Sequence, residues 1–154
     1  MQPKNGFITS ERLRIHYLDW GGKGRQTLLL LHGIGRTAHN FDHLVPHFAA
    51  RYHVVAADLR GHGNSDWHPD GAYLVEDYVK DIEALITQMG MENIVLWGQS
   101  TGGRVAQVIA GKRPSLAAAV IVEDVGPERP KEVSDRRASR MSAEENGWDS
   151  PEAL

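Results

Sequence analysis

Val95-Leu96-Trp97-Gly98-Gln99-Ser100-Thr101-Gly102-Gly103 is the stretch on which the reading of this chain turns. A short apolar run enters Gly-x-Ser-x-Gly, and a helical pattern follows from Arg104 to Lys112. The order predicts a strand, a very sharp turn and a helix. Glycine at 98 and 102 removes the Cβ atoms that would collide in such a turn, so Ser100 can hold a strained backbone with its hydroxyl exposed above a sheet. Gln99 completes the elbow, and the N–H of Thr101 would point to where an oxyanion forms. A glycine-rich loop could match the bare motif by chance, but the strand before it and the helix after it argue against that.

The pattern repeats outward from this elbow. Phe7-Ile8-Thr9 and Leu13 to Leu18 read as two strands joined by the polar turn Ser10-Glu11-Arg12. Thr27 to Leu31 and His53 to Ala57 are nearly unbroken apolar runs, as expected of parallel strands covered on both faces. Between them a helix is expected from about Ala38, with Phe41, Leu44, Val45 and Phe48 inward and a kink or break at Pro46. Tyr73 to Met89 has the strongest helical spacing, with Asp77, Lys80 and Asp81 assigned mostly to its polar side and Gly90 ending it. Ile94 to Trp97 and Ala117 to Val122 complete the strands. Alternation of this kind implies an α/β fold, a doubly wound and mostly parallel sheet that begins with an antiparallel hairpin.

Composition restricts the classes of function. The 154 residues carry a formal charge of −3 with 24% charged side chains, which gives no reason to expect a nucleic-acid or membrane partner. No cysteine is present, so disulfides, thiolate chemistry and cysteine-bound zinc are excluded. Without an apolar leader or a long apolar run, the expected location is cytoplasmic.

A serine hydroxyl becomes a nucleophile only when a base takes its proton, and the oxyanion it creates needs two N–H donors. Thr101 offers one. Leu31-His32-Gly33-Ile34-Gly35, where a buried strand opens into a glycine turn, offers the second at Ile34. With these residues in place, the chain resembles the N-terminal part of the α/β-hydrolase family over roughly residues 7 to 127. Three motifs carry the resemblance in the family's order. They are His32-Gly33-Ile34-Gly35, Asp58-Leu59-Arg60-Gly61-His62-Gly63-Asn64-Ser65-Asp66, and Gly98-Gln99-Ser100-Thr101-Gly102.

The resemblance implies Ser100 as nucleophile, the Ile34 and Thr101 amides as oxyanion hole, and His32, Gly33, Gly98, Gln99 and Gly102 as supports of the turns. It also implies six of the family's eight strands in residues 1–126, with 127–154 opening a lid that is cut short. The family's catalytic histidine follows its last strand, whereas all 8 histidines here precede Ser100. Asp124 or Glu123 could serve as the acid, although a loop carboxylate is the simpler account. The reaction implied is transfer of an acyl group from a small ester, lactone or related carbonyl compound to water through acyl-Ser100. Serine in place of aspartate at the elbow argues against dehalogenase and epoxide-hydrolase chemistry. No metal or organic cofactor is implied, and this chain alone is expected to be inactive or feeble.

Two rival readings remain. Gly33-Ile34-Gly35-Arg36-Thr37-Ala38 fits a dinucleotide fingerprint, with Asp58 placed to bind a ribose. That reading leaves the Ser100 elbow unexplained. Alternatively the chain is a non-catalytic or truncated module. The family covers its sixth strand with a seventh, so Ala117 to Val122 would here be an apolar edge open to self-association or to a second fragment. His39, His43 and His47 recur every four residues, a metal-like spacing, but with no acidic partner they read as a solvated face.

Overall fold

The computed structural model describes residues 2–125, and the expected lid segment 127–154 lies outside them. Strand β1 (Lys4–Ser10) turns at Glu11-Arg12 into β2 (Leu13–Gly21), and β3 (Thr27–Leu31) follows. A four-residue 3-10 turn (Ala38–Phe41) and the short helix α1 (Val45–Phe48) lead to β4 (His53–Ala57). Helix α2 (Val75–Gln88), β5 (Ile94–Gln99), α3 (Thr101–Lys112) and β6 (Ala117–Glu123) complete the order. The six strands form one sheet in the order β1-β2-β4-β3-β5-β6. The β1–β2 and β2–β4 pairs are antiparallel, and the other three pairs are parallel.

Side chains that alternate along each strand feed two separate cores. Leu29 and Leu31 of β3 face Ile82, Leu85 and Ile86 of α2 and Val105 and Ile109 of α3. Leu28 and Leu30 face the other way, toward Phe41, Val45 and Trp20. This is why Thr27 to Leu31 is apolar throughout: both faces of β3 are covered, and all five residues are buried.

Three expectations need correction. The helix expected from Ala38 is two short pieces, because Pro46 has no N–H to donate and fits only at the start of a new helix, where it stands in α1. His39, His43 and His47 therefore do not share one helical face. Helix α2 starts at Val75, after Tyr73, and Asp77 fastens that start by accepting the Leu74 N–H at 3.0 Å. Asp81 is fully buried and not on the polar side of α2. No helix among the described residues is long and apolar enough to cross a membrane.

Candidate active site

In the strand order, β3 connects to β4 on one side and β5 lies on its other side, so the chain reverses direction across β3 and β5. A crevice opens at the carboxyl ends of the strands at such a reversal. The residues singled out from the sequence meet there. A Cβ placed on Gly33, just after β3, would lie 3.1 Å from the Cβ of Ser100, just after β5.

Ser100 sits between β5 and α3 with φ 50° and ψ −110°, a conformation that L side chains rarely adopt. The surroundings hold it there. A Cβ on Gly98 would strike the carbonyl of Gly102, and one on Gly102 would strike the Leu31 carbonyl, so neither position has room for a side chain. The Ser100 N–H donates to the Glu123 carbonyl at 2.8 Å, and the Gly102 N–H donates to the His32 carbonyl at 3.1 Å. Strands β6 and β3 thus fasten the elbow from both sides.

The second turn is built with the same economy. The Arg36 N–H donates to the Gly33 carbonyl at 3.2 Å, and Gly35 has φ +73°. That is a type II turn, which needs glycine at its third position. Ile34 is the exposed second residue. Among the described residues, neither the Ile34 N–H nor the Thr101 N–H meets an acceptor.

His32 is fully buried behind this turn. Its Nε2 accepts the Leu59 N–H at 3.0 Å, so the ring proton sits on Nδ1, 2.7 Å from the Gly33 carbonyl. Burial pushes its pKa down to about 4, against the raising effect of the Gly33 carbonyl. His32 is therefore a neutral staple between the β3 and β4 loops, with no lone pair left for a substrate.

Asp58 organises the neighbouring loop. Its Oδ1 accepts the Ala38 N–H at 2.6 Å, and its Oδ2 accepts the Asn64 N–H at 3.0 Å and His16 Nδ1 at 2.8 Å. Gly63 is required beside it, because a Cβ there would overlap the carboxylate. Both oxygens are committed and only a 3-10 turn follows the glycines, so the dinucleotide reading lacks its ribose acid and its helix.

Arg60 lies fully buried against Asp81, its Nε and Nη2 donating at 2.6 and 2.7 Å to the two carboxylate oxygens, and Nη1 reaches the Ala72 carbonyl at 3.0 Å. The sequence reading missed this pair. The signal was present: Asp81 follows Tyr78 by three residues and precedes Leu85 by four, which puts it on the buried face of α2.

The acid candidates stand apart from any histidine. Glu123 accepts Trp97 Nε1 and Gln99 Nε2, both at 3.2 Å, and Asp124 is exposed with φ 57°. Among the described residues no histidine nitrogen lies within ion-pair distance of either carboxylate. A hollow of about 450 Å³, lined by Glu11, Arg12, Leu13, His68, Pro69 and Asp70, sits at the β1–β2 turn and includes no elbow residue. The described residues contain no cluster of three or more side chains able to hold a metal.

A family model for the α/β-hydrolase fold matches residues 26–146, most of the chain. The chain belongs to the α/β-hydrolase family. This hydrolase-fold chain is 32% identical over 125 residues to the 3-hydroxybutyrate-oligomer hydrolase of Cupriavidus necator, covering 80% of itself and 43% of that protein. It is 35% identical over 117 residues to epoxide hydrolase 4 of Mus musculus, covering 75% of itself and 32% of that protein. A solved α/β hydrolase from Novosphingobium aromaticivorans superposes with a TM-score of 0.82 at 34% identity, over 90% of this chain and 50% of that one. The chain thus spans half or less of the length of each of these proteins.

Proposed function

We propose that this α/β-hydrolase chain carries the nucleophile and oxyanion hole of a serine hydrolase acting on small esters, lactones or related carbonyl compounds. The observation that carries the reading is the strained Ser100, held between two glycines that admit no Cβ, beside the amides of Ile34 and Thr101, which meet no acceptor among the described residues. Strain at one non-glycine residue costs on the order of 1–3 kcal/mol and persists where the surroundings over-determine it, as they do here. In the reaction, Ser100 Oγ attacks the substrate carbonyl while a base takes its proton. The two amides bind the oxyanion, the alcohol leaves, and water then cleaves the acyl-Ser100 ester. No step requires a metal or an organic cofactor.

The resemblance to a 3-hydroxybutyrate-oligomer hydrolase supports an ester substrate. Epoxide hydrolase 4 is also similar. Serine at the elbow favours acyl transfer over epoxide opening, which the family resemblance associates with aspartate at that position. None of the 8 histidines follows Ser100. His32 is committed to Leu59 and His16 to Asp58, which removes two of them as bases. The 154 residues on their own are therefore expected to hydrolyse esters feebly or not at all. The absence of cysteine suits a reducing cytoplasm.

The test is hydrolysis of a short-chain p-nitrophenyl ester by the purified chain beside Ser100→Ala, with an alkyl fluorophosphonate probe to report nucleophile labelling. Equal, negligible turnover in both proteins, with slow labelling of Ser100 alone, is the expected result. Labelling that survives Ser100→Ala would refute the assignment of the nucleophile.

A further inference from the structure

The turn that carries the Ile34 amide is held at its two ends. Its start is fixed at Gly33, whose carbonyl accepts His32 Nδ1 and the Arg36 N–H. Beyond Arg36 the chain is extended at Thr37 (φ −139°, ψ 172°), and the Thr37 side chain does not cap the 3-10 turn that follows. Among the described residues the N–H groups of Ile34, Gly35 and Thr37 meet no backbone acceptor. The end of the turn is fixed from 20 positions away: Asp58 Oδ1 accepts the Ala38 N–H, an orphan donor at the start of the 3-10 turn, at 2.6 Å.

The orientation of the Asp58 carboxylate is set from β2. Its Oδ2 accepts the Asn64 N–H at 3.0 Å and His16 Nδ1 at 2.8 Å; a carboxylate only accepts, so Nδ1 carries a proton. The other ring nitrogen of His16 lies 2.8 Å from the Asn5 side-chain oxygen. The His16 N–H donates to Ser65 Oγ at 2.9 Å, and that hydroxyl donates to the Asp58 carbonyl at 2.6 Å. The side chains of His16 and Asp58 are 1% and 3% exposed. A buried pair of this kind is no more stabilising than apolar side chains of similar volume, so stability alone does not account for it. These residues lie in β1, β2 and the loop after β4, at the side of the sheet farthest from β6.

We propose that His16, oriented by Asn5, is a positioning residue for the oxyanion hole. Through Asp58 and the Ala38 N–H it fixes the direction of the Ile34 amide. The proposal rests on the reading of Ile34 and Thr101 as the two oxyanion donors. The elbow that carries Thr101 is fastened separately, by the carbonyls of Glu123 and His32, so His16 acts on one donor of the two. Removing an oxyanion donor outright costs about 10²–10³ in rate, and misdirecting one should cost roughly tenfold or more.

An alkyl fluorophosphonate tests the proposal. Ser100 Oγ displaces fluoride from phosphorus, its proton passes to solvent, and the phosphoryl oxygen takes the oxyanion position. Labelling rates of the folded chain are measured beside urea midpoints for the wild type and three variants. His16→Phe keeps a ring and removes the Nδ1 donor, and should slow labelling roughly tenfold. His16→Asn returns an N–H donor near the Nδ1 position and should recover most of the rate. Asn5→Leu, at an exposed residue, should slow labelling while the urea midpoint stays in place, which keeps the proposal falsifiable if His16→Phe does not fold. In amide NMR spectra of the labelled proteins, the Ile34 and Thr101 protons should both move downfield in the wild type, and Thr101 alone in His16→Phe. A wild-type labelling rate in Asn5→Leu, or in folded His16→Phe, overturns the proposal while the oxyanion-hole reading stands on the wild-type spectrum. If neither amide moves in the labelled wild type, that reading fails and the proposal fails with it.

Discussion

Replacing Ser100 by glycine is expected to make this chain more stable than replacing it by alanine, the reverse of the usual order. At an ordinary position glycine is the less stable by about 0.5–1 kcal/mol, because the unfolded chain gains more backbone freedom. At φ 50° and ψ −110° the native state carries a conformation that any Cβ opposes. Release of that strain is worth about 1–3 kcal/mol. The difference leaves Ser100→Gly ahead of Ser100→Ala by about 1 kcal/mol, or about 2–4 °C in Tm for a chain of this size. The wild type should lie within about 0.5 kcal/mol of Ser100→Ala, since both carry a Cβ and the Ser100 hydroxyl has no hydrogen-bond partner among the described residues. Urea unfolding followed by circular dichroism measures all three. Equal slopes with the highest midpoint for Ser100→Gly would support the reasoning. Ser100→Ala as stable as or more stable than Ser100→Gly would mean that the elbow stores no strain, and the physical case for a pre-set nucleophile at the half-buried Ser100 would fall with it.

Further outcomes follow from the same contacts. Gly98→Ala should cost about 3 kcal/mol or more, because its Cβ meets the backbone of Gly102 and not a movable side chain; loss of soluble yield or a strongly lowered Tm would register it. Arg60→Met should lose about 3–5 kcal/mol by stranding Asp81 in the core, and Arg60→Met with Asp81→Leu should recover most of that in urea titrations. His32 has a folded pKa of about 4, below the ordinary 6.5, so the unfolded chain binds the extra proton between those values. Stability from this group is complete above about pH 6.5 and falls as pH drops toward 4, by at most about 3 kcal/mol. Unfolding free energies measured across that window should slope less steeply in His32→Gln than in the wild type.

The strands were the most legible part of this chain. Thr27 to Leu31 and His53 to Ala57 stand in the structure with the limits read from their apolar runs, because a strand covered on both faces has nowhere to put a polar residue. The Gly-x-Ser-x-Gly elbow was legible for a related reason. Gly98 answers crowding against Gly102, four residues along the chain, and that is visible in the order of residues; Gly102 answers the Leu31 carbonyl, which only the pairing of β3 with β5 brings there. The break before Pro46 was only half legible: proline marked the place, but whether the helix would bend or stop depended on how Phe41 and Val45 packed against the sheet.

What the sequence determined by itself was therefore the alternation of strands and helices, the glycines that permit each sharp turn, and the serine at the sharpest of them. Tertiary structure alone decided which turns meet. Gly33 and Ser100 are 67 positions apart, and they touch because β3 and β5 pair at the reversal of the sheet. Tertiary structure also turned His32 into a neutral staple, Asp58 into the hub of its loop, and Asp81 into the buried partner of Arg60. The physical reason is one of range. Backbone strain and periodicity act over a few residues, whereas the partner of a buried polar group is whichever residue the packed sheet brings to it.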